Sequence, residues 1–269
     1  MTNPLRRRAQ QLLLICCPEK KAATVRQLAA EAFNIDTVDV ISDIDGIPGR
    51  PERPVLVHPS QLKHRAVGTP EGRASLIHAL THIESNAIDL ALDVIWRFDG
   101  MPERFYLDWL QVAREEALHF QLLSGHLNSI GFDYGDFPAH NGLWEMAEKT
   151  RDDLLARLAL VPRTLEARGL DASPAIKNKL ISVGDRKGAD ILDIILRDEI
   201  GHVAIGNHWY RHLCTLQGLD PVITYARLAE AYGAPRLKGP FNLVARRAAG
   251  FDEAELARLD AWASTVNAP

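Results

Sequence analysis

Apolar side chains recur at three- and four-residue intervals through most of this chain, the pattern of helices with one face turned inward. Ile77, Leu80, Ala87, Ile88, Ala91 and Ile95 form one such stripe within residues 72–98. A turn at Asp99-Gly100-Met101-Pro102 leads into a second, 103–130, marked by Val112, Ala113, Phe120, Leu123 and Leu127. Leu155, Leu158, Ala159 and Pro162 mark a third over 142–168, where Pro162 is expected to kink the helix. Gly169 and Pro174 then interrupt, a short helix follows at 175–183, and Leu192, Ile195, Leu196 and Val203 define a last long helix over 187–216. Between the second and third helices run the twelve residues Gly131 to Gly142. Extended at ~3.3 Å per residue they reach ~40 Å, about the length of a 27-residue helix, so a long crossover is feasible.

The same pattern places helices near 4–17 and 19–33, followed by a proline-rich lead-in over 44–70 that wraps the bundle. Strand-like alternation is confined to Val38–Ile41, and further helices are expected at 221–232 and 252–266. The expected fold class is therefore all-α. A four-helix bundle occupies 72–216, an N-terminal helical extension 1–71 and a C-terminal helical extension 217–269.

Acidic residues interrupt the apolar stripes at regular places. Glu116-Ala117-Leu118-His119 and Glu199-Ile200-Gly201-His202 repeat one Glu-x-x-His pattern, and each directly follows another acid, Glu115 or Asp198. Residues three apart lie ~60° apart around a helix, so each Glu/His pair can reach one cation. Glu84 precedes Glu116 by 32 residues and Glu166 precedes Glu199 by 33. Two helices folded back on each other make residues at that separation level. Carboxylates on a buried face need a compensating positive charge, which a metal supplies. Four carboxylates and two neutral imidazoles carry four negative charges, and two divalent cations cancel them.

This constellation resembles the ferritin-like di-iron carboxylate proteins, in which two helices each give a Glu and two others each give Glu-x-x-His. The resemblance covers roughly residues 72–210 and implies a ferritin-like bundle with a long crossover. It carries Glu84, Glu116, His119, Glu166, Glu199 and His202 into the ligand role. The stretch Leu165-Glu166-Ala167-Arg168-Gly169-Leu170-Asp171 and the tail Pro240-Phe241-Asn242 are also similar to a bacterial ferritin-like family labelled a domain of unknown function. Within the class, the acid before one Glu-x-x-His commonly supports the opposite histidine, which would place Asp198 behind His119 and Glu115 behind His202. Ion pairing of these acids with Arg114 and Arg197 at the surface is the alternative. Glu148, Glu145 and Asp152 compete with Glu166 for the third-helix position.

Imidazole with carboxylate suits iron or manganese, and zinc also accepts it. Two iron ions are expected, with manganese or a mixed iron–manganese pair compatible with the same donors. Two histidines, one per metal, resemble the oxygenases of the class, the tRNA-hydroxylating monooxygenase among them, more than storage ferritins. The implied activity is an oxygen-activating monooxygenase or oxidase. It implies an electron donor and a small-molecule or RNA substrate, with catalytic residues beyond the ligands unassigned. The competing expectation is an iron-storage or peroxide-detoxifying protein.

Composition narrows this further. The 269 residues are 46% hydrophobic and 25% charged, enough to bury a substantial core. A net charge of −4 and a pI near 6.2 argue against a mainly electrostatic nucleic-acid binder. Asp89, Asp93 and Asp193 break the apolar stretches, so no membrane span is expected. Cys16, Cys17 and Cys214 lack metal-ligand spacing and read as reduced thiols of a cytoplasmic protein, with a homodimer compatible. Of the remaining candidates, His78 and His82 read as hydrogen-bonding positions, Trp96, Trp109, Trp209 and Tyr210 as core. Arg236, Lys238, Arg246 and Arg247 read as a solvated cluster or an anion dock.

Overall fold

A computed structural model describes residues 3–266. The outermost parts of the two expected extensions, residues 1–2 and 267–269, lie outside the described residues. The protein is all-α. Its chain divides into two compact units, 1–144 with 183–191 and 145–182 with 192–269.

The first unit is organised around α3 (Pro70–Arg97) and α4 (Glu103–Ser129), which pack together as a hairpin. Gly100 makes the intervening turn at φ +72°, a left-handed conformation that suits glycine. Every residue from Asn86 to Trp96 is buried, so this half of α3 is enclosed on all sides rather than along one stripe. The helix α1 (Leu5–Leu13) covers α3 and α2 (Pro18–Arg26) covers α4. The two acids within the enclosed stretch are paired, Asp89 with Lys21 at 2.6 Å and Asp93 with Arg97 at 2.7 Å. Arg6 is buried and donates to the carbonyls of Ile95 and Trp96, serving the C-terminal end of α3 whose last carbonyls lack intrahelical donors.

Two expectations for this region are corrected. The second N-terminal helix stops at Arg26 because the backbone turns extended at Ala29, and a short 3-10 turn (Ala30–Ala32) leads to a two-residue strand. That strand, β2 (Phe33–Asn34), pairs in parallel with β1 (Asn3–Pro4), whereas Val38 and Val40 are exposed and form no strand. The proline-rich lead-in is tied down by backbone hydrogen bonds from Gly49 to Leu13 and between Val55–Val57 and Ala139 of the crossover.

The second unit contains α6 (Leu154–Leu160), a π-helical turn (Val161–Glu166), α7 (Ala167–Ser182) and most of α8 (Arg186–Leu216). Three shorter helices follow, α9 (Pro221–Ala231), α10 (Leu243–Ala248) and α11 (Glu253–Val266). The expected helix 142–168 is interrupted. Its first part is α5 (Gly142–Lys149), and Asp153 restarts the chain as the N-cap of α6 by accepting the Ala156 N–H at 2.9 Å. The buried Arg157 guanidinium satisfies the broken end, donating to Ala147 O at 2.6 Å and Thr150 Oγ1 at 2.9 Å. Pro162 produces a π-turn, and Gly206 of α8 makes room for it, since a Cβ there would stand 2.6 Å from the proline ring.

The expected break at Gly169 and Pro174 does not occur, because α7 runs through both. Proline at 174 removes the N–H that would serve Leu170 O, and the side-chain amide of Asn242 supplies a replacement at 3.2 Å. Around this point Arg246, fully buried, forms a bidentate pair with Asp171 at 3.0 and 2.7 Å. Arg246 is therefore neither a solvated charge nor an anion dock.

Candidate metal centre

The α3–α4 hairpin sets the first half of the candidate centre. Glu84 lies 13 residues before Arg97, the last residue of α3, and Glu116 lies 13 after Glu103, the first of α4. Both therefore stand about 20 Å from the turn, at one level of the hairpin. Glu84, Glu116 and His119 are all buried, and each offers a ligand atom within 4.8 Å of the others. His119 Nδ1 is 3.3 Å from Glu84 Oε2 and 3.5 Å from Glu116 Oε2.

The electrostatics of this cluster favour a cation. Burial, and after it the neighbouring Glu116 carboxylate, push the Glu84 carboxyl up to about 8, with His119 acting in the opposite direction. Two carboxylates and an imidazole at this spacing form an oxygen–nitrogen donor set that suits iron, manganese or zinc. The donors present thus fit a divalent metal.

The second unit carries the other three residues that the sequence singles out. Glu199 and His202 lie one turn apart on α8, both buried, with His202 Nδ1 3.2 Å from Glu199 Oε1. Glu166 closes the π-turn and is half-buried. Of its competitors, Glu148 sits on α5 and pairs with Arg151 at 3.6 Å, Glu145 and Asp152 are exposed, and none shares a continuous helix with Glu166. The two supporting acids are found beside near neighbours. Glu115 accepts from Gln111 at 3.2 Å, and Asp198 takes the Arg197 guanidinium in a bidentate contact at 2.8 and 3.1 Å.

The remaining histidines and aromatics take structural positions. His78 Nε2 accepts the Gly135 N–H at 2.9 Å and its ring stacks on Tyr134. His82 meets the Tyr134 hydroxyl at 2.8 Å and the His140 carbonyl at 3.0 Å, so both histidines fasten the crossover to α3. Burial lowers each of them to about 4. His126 pairs with Asp185 at 2.9 Å, whereas His208 is exposed and meets Trp209 edge to face. Trp96, Trp109, Trp209 and Tyr210 are core.

Sequence reasoning missed the groups that hold the π-turn. Arg163 within it is buried among Tyr210, Tyr225 and Phe251 and bonds Glu255 at 2.6 Å. Pro162 was the available signal, since a proline inside an apolar helical stripe marks a local departure from α geometry.

No helix among the described residues is long and apolar enough to cross a membrane. No solved structure matches the chain significantly. An uncharacterized protein of Haemophilus influenzae is 50% identical over 252 residues, covering 89% of this chain and 88% of the relative. The model of a family described as "Protein of unknown function (DUF455)" matches residues 15–257. That match takes in all six candidate ligand residues, and the chain belongs to this family.

Proposed function

We propose that this chain is a ferritin-like dinuclear metal protein in which Glu84, Glu116 and His119 from one half and Glu166, Glu199 and His202 from the other hold two iron ions. The observation that carries the reading is the burial of Glu84, Glu116 and His119 in one cluster, with Glu84 held far above the ordinary carboxylate range. A core does not gather such groups without compensation. The second buried Glu/His pair, on α8, repeats the same chemistry and supports a second metal.

On this reading the protein is an oxygen-activating oxidoreductase, a monooxygenase or oxidase, that draws on an external electron donor and acts on a small organic or RNA substrate in the cytoplasm. Two reduced iron ions supply the electrons for dioxygen chemistry when bound. The chain's own contribution is to fix the donor atoms and exclude water. Glu116 and His119 are held by adjacent turns of α4, and Glu84 faces them from α3, which leaves little freedom in the carboxylate positions. The π-turn sets where Glu166 emerges from its helix, and Arg163 and Gly206 fix that turn.

Anaerobic iron loading followed by metal analysis and oxygen consumption with a reductant tests the proposal. The expected result is about two irons per chain and catalytic oxygen uptake, with the Glu116→Ala and Glu166→Ala proteins each losing metal. Undiminished occupancy in the Glu166 variant would reject that ligand alone. Failure of the parent protein to load metal would reject the centre, and stoichiometric uptake ending in mineral iron would favour storage.

A further inference from the structure

On the side of α3 turned away from Glu84, a cavity of about 320 Å³ enters the first unit. Its buried part is lined by Lys21, Asn86 and Asp89, and its exposed part includes Val55 and Cys16. Asn86 and Asp89 are three residues apart and share a helix face, roughly 140° or more around from Glu84. The cavity and the metal cluster are thus separate features of one helix.

One buried hydrogen-bond acceptor in this cavity has no partner among the described residues. The Asn86 amide nitrogen donates to His82 O at 2.8 Å, and its Oδ1 is buried with no partner. Asp89, beside it on the cavity wall, accepts Lys21 Nζ on Oδ1 at 2.6 Å. Lys21 has no proton left to offer, since it also reaches Leu13 O at 3.5 Å and Gly49 O at 3.3 Å. A buried acceptor left bare is costly, so whatever fills the cavity should bring donors.

The charge balance limits what that occupant can be. The charged groups on its wall balance, Lys21 and Arg50 against Asp89 and Glu52, so neither a cation nor an anion is favoured by net charge. An added anion faces Asn86 Oδ1 and the carboxylates of Asp89 and Glu52. Pro51, Pro54 and Val55 provide apolar surface for a carbon skeleton. We propose that this cavity binds a small neutral molecule with N–H or O–H donors, either a polyol or a primary amide, one of which bonds Asn86 Oδ1. Its volume lies at the small end of ligand sites, in keeping with a compact metabolite-sized guest. The inference is independent of whether iron is bound.

Ligand-observed NMR on the full chain tests it, with glycerol and acetamide as neutral probes and acetate and ethylammonium as charged controls. Saturable binding of glycerol identifies a polyol site, and of acetamide an amide site. Asn86→Leu removes the bare acceptor at similar volume and should weaken the bound probe about tenfold. Val55→Trp narrows the exposed side without touching the buried hydrogen bonds, and should also weaken binding, which decides the matter if the Asn86 variant does not fold. The proposal fails if neither neutral probe saturates, which would mean water alone fills the cavity. It fails equally if a charged control binds as well as the better neutral probe, or if both variants bind unchanged.

Discussion

Single buried polar side chains fix much of this fold, and His78 shows how one of them sets a dependence on pH. The ring is enclosed by Tyr134 and Phe137, and its Nε2 accepts from the Gly135 backbone, a role that only the neutral ring with its proton on Nδ1 can fill. Burial takes it down to about 4 from 6.5, while Asp136 works weakly the other way. A histidine depressed in the folded state binds its proton more readily when unfolded, so stability is complete above about 6.5 and is lost as pH falls toward 4. Urea unfolding of the metal-free protein should therefore show about 2 kcal/mol less stability from this residue at pH 5 than at pH 7. A His78→Gln protein should lack that component; an unchanged pH slope would refute the assignment. At this scale the sequence was only partly legible. Glu84, Glu116 and His119 announced themselves by interrupting apolar stripes at level positions, and the structure gathers them. Arg6 and Arg246 did not, because an arginine whose partner lies 75 to 90 residues away reads in sequence like one in water.

At the scale of elements, the chain is governed by where helices are allowed to depart from ideal geometry. The α3–α4 hairpin was readable because period, turn and length agreed. The region from 142 to 182 was not, since its breaks and continuities are decided by side-chain partners that the apolar periodicity does not record. Arg157 permits the break after α5, Gly206 accommodates the π-turn, and Asn242 permits α7 to pass Pro174. The last case has a direct test by double-mutant cycle. Asn242→Ala removes both the donor to Leu170 O and the cap on Ala245 N–H of α10, and should cost about 2 kcal/mol. Pro174→Ala returns a backbone N–H to Leu170 O, so the Asn242 substitution should cost about 1 kcal/mol less in that background. Strict additivity of the two changes in urea unfolding would show that the amide does not compensate for the proline.

At the scale of the whole molecule, the six residues of the proposed centre divide between the two compact units. Glu84, Glu116 and His119 fall in the first, while Glu166, Glu199 and His202 fall in the second. The second unit has its own core, built on Ala167, Leu170, Val203, Ala249 and Leu256, and the proposed two-iron reading predicts that metal stabilises both units. Binding to the folded state alone stabilises it by about 2.7 kcal/mol at a hundredfold excess over Kd, and the gain belongs to every unit whose unfolding releases the metal. Hydrogen exchange should then slow on iron loading both in α4 of the first unit and in α7 of the second. Substituting His202 by Ala touches only the second unit's chain, yet it should diminish the protection of α4 as well, in proportion to the metal lost. Two separate mononuclear sites predict the opposite pattern, in which the His202 variant keeps the full effect of metal on α4. That outcome would leave a metal at Glu84, Glu116 and His119 and remove the dinuclear reading.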